Sequence, residues 1–93
     1  MKTQIFDNVW DALCDTPAEA ANMTARSDLL IALQTQIANW GLTQEAAAKR
    51  LGVTRPRVSD LLAGKIGKFS LDALVNLAVQ AGLNVEIHTS VAA

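Results

Sequence analysis

The chain has little of what enzymes and disulfide-stapled domains are built from. It carries one cysteine (Cys14), one histidine (His88), two prolines and no tyrosine, and aromatic residues make up 4% of it. A single cysteine cannot close an internal disulfide, so a reducing, cytoplasmic setting is expected. Cys14 itself reads as a small buried hydrophobe. It has no histidine near it in sequence, and no His, Cys, Asp or Glu cluster has metal-ligand spacing. The five glycines are isolated and form no phosphate-cradling loop. These absences argue against an enzyme: no catalytic residue, no metal site and no cofactor is expected. No stretch approaches the roughly 20 apolar residues that cross a bilayer. Met1 to Trp10 carries Lys2 and Asp7 without a long apolar run, unlike a secretory signal. No membrane partner is expected.

What is present is apolar and favours helix. Of 93 residues, 51% are hydrophobic and 18% charged, with alanine and leucine the commonest. This excludes a disordered tail or a collagen-like repeat, and the length allows one core. The formal charge of −1 hides a strong asymmetry. Residues 1–28 set five acids against two bases, a balance of −3. Residues 43–70 set Lys49, Arg50, Arg55, Arg57, Lys65 and Lys68 against Glu45 and Asp60, a balance of +4. A polyanion can bind that second segment although the whole chain is slightly acidic.

Periodicity orders the elements. A short helix is expected from about Asp7, as cap, to Cys14, with Val9, Trp10 and Leu13 on one face. Thr16-Pro17-Ala18-Glu19 is a capping box, which opens a long helix to Trp40 with Asn22 and Thr24 marking where a break would fall. Leu29, Leu30, Leu33, Ile37 and Trp40 form its apolar face, and Gly41 stops it. Thr43 caps a helix from Gln44 to Leu51 with Ala46, Ala47 and Leu51 facing inward. Gly52 breaks the chain, and Thr54 caps a further helix to about Ala63, on which Val58, Leu61 and Leu62 are the apolar contacts. Pro56 is tolerated in its first turn. After Gly64 and a loop, Ser70 caps an apolar helix containing Leu71, Leu74, Val75, Leu77 and Ala78, ending at Gly82. The period then changes to two. Leu83, Val85 and Ile87 alternate with Asn84, Glu86 and His88, which reads as a half-buried strand with His88 on its solvent side. The only other short extended candidate is Lys2 to Phe6, so pairing with the same strand of a second chain is the economical expectation. Trp10 and Trp40 read as core rather than as stacking platforms.

The informative stretch runs from Leu42 to Lys65. Small Ala47 permits a close helix crossing, Gly52 a sharp turn, and Val53 plugs the angle, while Val58 and Leu61 anchor the second helix. This is a helix-turn-helix, whose second helix can enter the major groove of double-stranded DNA. Thr54, Arg55, Arg57, Ser59 and Asp60 are left to divide between groove and solvent. Arg55, near the helix start, suits a bidentate contact to guanine. Arg57 can reach a base or a phosphate. Asp60 either accepts from a cytosine amine or orients an arginine, and orientation is favoured. Thr43 and Gln44, with Thr54 at the next helix start, suit phosphates, and Lys65 and Lys68 would add salt-dependent backbone contacts.

Leu42-Thr43-Gln44, Leu51-Gly52-Val53 and Gly64-Lys65 resemble, in order and spacing, the Xre or lambda-repressor-like helix-turn-helix superfamily. Phe69-Ser70-Leu71 with Leu74 and Ala78 resembles the helix that closes that domain. Val9 to Leu13, Arg55 to Leu62 and the Gly82-to-His88 segment resemble a small single-domain subgroup, whose members are often HigA-type antitoxins. The resemblance covers about residues 7–89 and is strongest over 42–83. It implies an all-α domain of about five helices with a short C-terminal β-strand, a homodimer, and repression of its own operon. It further implies base contacts at Arg55, Arg57 and Asp60, with Gln44 on the DNA backbone. Arginine at both 55 and 57 departs from the usual pattern, in which the former is often glutamine, so the operator sequence does not carry over.

The expected organisation is an acidic helical flank over 1–22, a DNA-binding domain over 23–82, and a dimerising strand over 83–89 built on Leu83, Val85 and Ile87. The flank could dock a small basic toxin protein. The competing readings are a regulator with no toxin partner and a protein-interaction module that keeps the fold without binding DNA. The module would be indicated if acids neutralised Arg55 and Arg57 in space.

Overall fold

The computed structural model describes residues 9–92. Five helices follow one another: α1 (Val9–Leu13), α2 (Pro17–Trp40), α3 (Gln44–Leu51), α4 (Arg55–Leu62) and α5 (Leu71–Gln80), with a 3-10 turn at Ile66–Lys68 before the last. The proposed Asp7 cap and the Lys2–Phe6 segment lie outside the described residues.

Local chemistry explains the boundaries. The Thr16 hydroxyl oxygen accepts from the Glu19 amide at 3.1 Å, and Pro17 follows it as the first helical residue. From there α2 runs unbroken for 24 residues. The expected interruption is absent because its two suspects bond along the helix. The Asn22 Oδ1 accepts from the Arg26 Nε at 2.6 Å, and the Thr24 hydroxyl donates to the Ala20 carbonyl at 2.7 Å.

Helix α2 is the spine, and its second half lies in the core. Leu33 is fully buried, with Leu30 and Ile37 close behind and Leu29 and Trp40 at the margin. Against it pack Val58 and Leu61 of α4, Leu74, Leu77 and Ala78 of α5, and the ring of Phe69. On α3 the buried set is Ala47, Ala48 and Leu51, so Ala48 takes the place expected of Ala46. Leu62, at the rim of α4, stays 36% exposed rather than packing inward. Three glutamines join helices by capping C-terminal carbonyls. Gln34 Nε2 donates to Leu61 O at 3.0 Å and to Leu62 O at 3.4 Å, Gln36 Nε2 to Ala81 O at 2.9 Å, and Gln80 Nε2 to Arg50 O at 3.4 Å. Each satisfies carbonyls that a helix end leaves open.

Two further expectations need correction. No β-strand forms at residues 83–89, because a strand exists only as part of a ladder and the described residues offer no second strand to pair with. Leu83 and Val85 still pack on the core, while Ile87 is 81% exposed. Cys14 is half-buried rather than enclosed, since α1 is short and buries none of its own residues. Among the described residues no helix is long and apolar enough to cross a membrane, and no cluster of His, Cys, Asp or Glu could hold a metal ion.

Candidate nucleic-acid interface

Helices α3 and α4 are joined by a turn whose geometry follows from three residues. Gly52 takes φ 73°, the left-handed conformation that a Cβ disfavours. Its amide donates to Lys49 O at 3.2 Å, and the Val53 amide to Ala48 O at 3.0 Å, which closes α3 in a Schellman motif. Thr54 then caps α4, its hydroxyl oxygen accepting from the Arg57 amide at 3.4 Å, and Pro56 lies in the first turn. Thr43 caps α3 in the same way, accepting from the Ala46 amide at 3.1 Å. Both hydroxyls keep a proton to donate, so capping leaves them free to meet a phosphate.

The six basic residues of this region fall into three environments. Arg55, the first residue of α4, is exposed and makes no hydrogen bond or ion pair among the described residues; Lys49 is likewise free. Two arginines lie over rings: Arg50 stands 4.2 Å from the centroid of Trp40, and Arg57 stands 4.0 Å from that of Phe69. Lys65 and Lys68 each approach Asp60, at 3.5 Å to its Oδ1 and 3.5 Å to its Oδ2. Asp60 therefore does not orient an arginine, contrary to expectation. Its partners are the two lysines, because the Schellman turn at Gly64 brings the chain back beside α4. Ser59 is exposed on α4, and Gln44 is half-buried at the start of α3 with no side-chain hydrogen bond.

His88 is exposed, as expected, and its Nε2 lies 3.3 Å from Glu86 Oε1. Trp10 and Trp40 are only half-buried, and Arg50 lies over the Trp40 ring. Sequence reasoning missed Arg26, whose Nη1 donates to the Phe69 carbonyl at 3.3 Å and so ties α2 to the segment after α4. It missed Gln34 as well. On a helix both look like ordinary solvated side chains, and no local signal marks them.

A helix-turn-helix domain model matches residues 12–90. A solved structure provisionally described as an XRE-family transcriptional regulator superposes with a TM-score of 0.70 at 34% identity, covering 76% of this chain and 80% of that one. No curated protein sequence matches significantly. With the two capped helices, the glycine turn and these likenesses together, the chain belongs to the helix-turn-helix family, of the XRE type.

Proposed function

We propose that this protein is a sequence-specific DNA-binding transcriptional regulator that places α4 in the major groove. The observation that carries the reading is the state of Arg55. It opens a capped helix, is exposed, and has no internal partner among the described residues. The N-terminal residues of a recognition helix are those that meet base edges, and a free guanidinium there fits guanine O6 and N7. Ser59, four residues on, shares that face of the helix. Thr43, Gln44 and Thr54 are the candidates for phosphate contacts at two helix starts, with Lys65 and Lys68 beyond α4. Family membership and the similar regulator support the reading. The interaction-module alternative needs neutralised arginines, yet neither Arg55 nor Arg57 has a carboxylate at ion-pair distance among the described residues.

In this reading two copies act together. From Asn84 onward no described backbone amide donates to another backbone group, and Val85 borders a groove of about 520 Å³ between α2, α5 and the tail. Leu83, Val85 and Ile87 are therefore the proposed contacts with a second copy, whose tail would supply the missing ladder. Such a dimer matches a two-fold operator.

The narrowest form of the proposal is an autorepressor that is also the antitoxin of a HigA-type pair. Asp11, Asp15, Glu19 and Asp28 are exposed along α1 and the first half of α2, which suits a small basic protein. A regulator without a toxin keeps everything but this flank's role. The deciding experiment is a mobility shift with the DNA upstream of the gene, at two salt concentrations, against a scrambled duplex. Tight, selective and salt-sensitive binding is expected. Weak binding that is equal on both duplexes would remove the proposal. The antitoxin role stands only if a small basic protein encoded beside the gene arrests growth alone and is neutralised on co-expression.

A further inference from the structure

Arg57 and Asp60 sit three residues apart on α4 and so share a face, distinct from that of Arg55. Both are engaged within the molecule. Arg57 Nη1 donates to the Lys68 carbonyl at 2.8 Å while its guanidinium carbon lies 4.0 Å over the Phe69 ring. Phe69 is itself fixed: the residue is 1% exposed, and its carbonyl accepts from Arg26. Asp60 takes one lysine on each oxygen, Lys65 and Lys68, and its side chain is 23% exposed against 54% and 57% for theirs.

We propose that Arg57 and Asp60 do not read bases but are positioning residues, which hold the Lys65–Lys68 turn against the recognition helix as a two-lysine clamp for DNA phosphates. The proposal rests on the DNA-binding reading above and assigns these two side chains a role within it. Arg57 holds the main chain of the turn, and Asp60 holds its two ammonium groups in the DNA-free protein until phosphates take them. A planar guanidinium can donate in its plane and stack with its face at the same time, which an ammonium cannot do. Reading a guanine through Arg57 would require giving up the stack over Phe69 and the bond to Lys68. The Asp60 carboxylate stands between the two ammonium groups, where a phosphate oxygen would stand in the complex. On binding, each lysine exchanges an internal carboxylate for a phosphate, so Asp60 competes with the backbone of every duplex, operator or not.

The clamp and the base-reading roles predict different outcomes for Arg57→Lys and Asp60→Asn, measured on the operator duplex, on operators changed one base pair at a time, and on a scrambled duplex. Under the clamp, Arg57→Lys weakens every duplex by the same factor and keeps the base-pair preferences. Its plot of log affinity against log salt flattens by about 1 for each lysine that no longer reaches a phosphate. In a Lys65→Ala, Lys68→Ala background the same change has no further effect. Asp60→Asn, which leaves the Arg57 stack in place and so guards against loss of folding in the first variant, raises affinity for every duplex alike. A loss confined to the operator, with preference relaxed at a single base pair, in either variant would overturn the assignment. Failure of the DNA-binding reading is separately visible, because the wild-type protein would then show no selectivity between operator and scrambled duplex.

Discussion

Single side chains in this domain divide by whether the fold has already used them. Arg55 is unused, and its truncation should therefore register on DNA and not on folding. Arg55→Ala is expected to weaken operator binding by about 1–3 kcal/mol and relax preference at one base pair. The thermal midpoint should stay within the scatter of exposed substitutions. Titrating the variant against single-base-pair operator changes, alongside a melting curve, checks both parts. Gln34 is the opposite case, exposed enough to pass for a surface residue while donating to two α4 carbonyls. Gln34→Ala takes the side-chain donor from both, leaving Leu61 O with the Gly64 amide alone, and should cost about 0.5–1.5 kcal/mol. In a domain of this size that lowers the melting midpoint by roughly 4–8 °C per kcal/mol. A midpoint unchanged from wild type would mean that water replaces the amide at no cost.

Helices and turns carry the geometry of the interface. The angle between α3 and α4 depends on Gly52, at which an added Cβ would meet no atom within 4 Å. The penalty of Gly52→Ala is thus conformational rather than steric, about 1–2 kcal/mol for a left-handed residue with a Cβ. We expect lower stability by that amount in denaturant unfolding, with operator binding by the folded fraction retained. If the variant is as stable as wild type but no longer binds, the turn has found another conformation and the recognition helix has moved. The caps at Thr43 and Thr54 and the glycine turn were all legible from residue types alone, because caps and left-handed turns are local requirements. The capping box at Thr16 was equally legible. The unbroken course of α2 was not, since Asn22 and Thr24 weaken a helix only when their side chains compete with its backbone, and here they bond along it instead.

At the scale of the molecule, charge and apolar surface are laid out separately. The described structure measures 44 × 23 × 21 Å, with α2 as its spine. Apart from Arg26 on α2, the described lysines and arginines lie on α3, α4 and the Lys65–Lys68 turn, whereas Asp11, Asp15, Glu19 and Asp28 are exposed from α1 to the middle of α2. The tail beyond Gly82 borders the groove between α2 and α5. If that tail joins two copies, Val85→Asp places a charge in the joint and should yield a monomer by sedimentation, with operator binding weakened through loss of the second half-site. A wild-type protein that already sediments as a monomer, or a variant of unchanged mass, would remove the tail as the dimer contact.

The amino-acid sequence by itself determined the five described helices, the starts of all but the first, their approximate stops, the glycine turn and the cationic segment, because each depends on residues within one or two turns of one another. Periodicity also located most of the core: Leu30, Leu33 and Ile37 recur at helical spacing and are buried. The alternation of Leu83, Val85 and Ile87 suggested a strand, but a strand needs hydrogen bonds from a neighbour that no local pattern can supply. Likewise, a run of arginine, lysine and aspartate says how many charges are available and not which are already paired. Only the return of the chain through Gly64 to Phe69 brought Lys68 under Arg57 and both lysines to Asp60. That folding back separates Arg55, left free to bind, from Arg57, which holds the structure. Contacts across 11 residues, or across 43 in the case of Arg26 and Phe69, depend on where the helices pack, and packing is a property of the whole core.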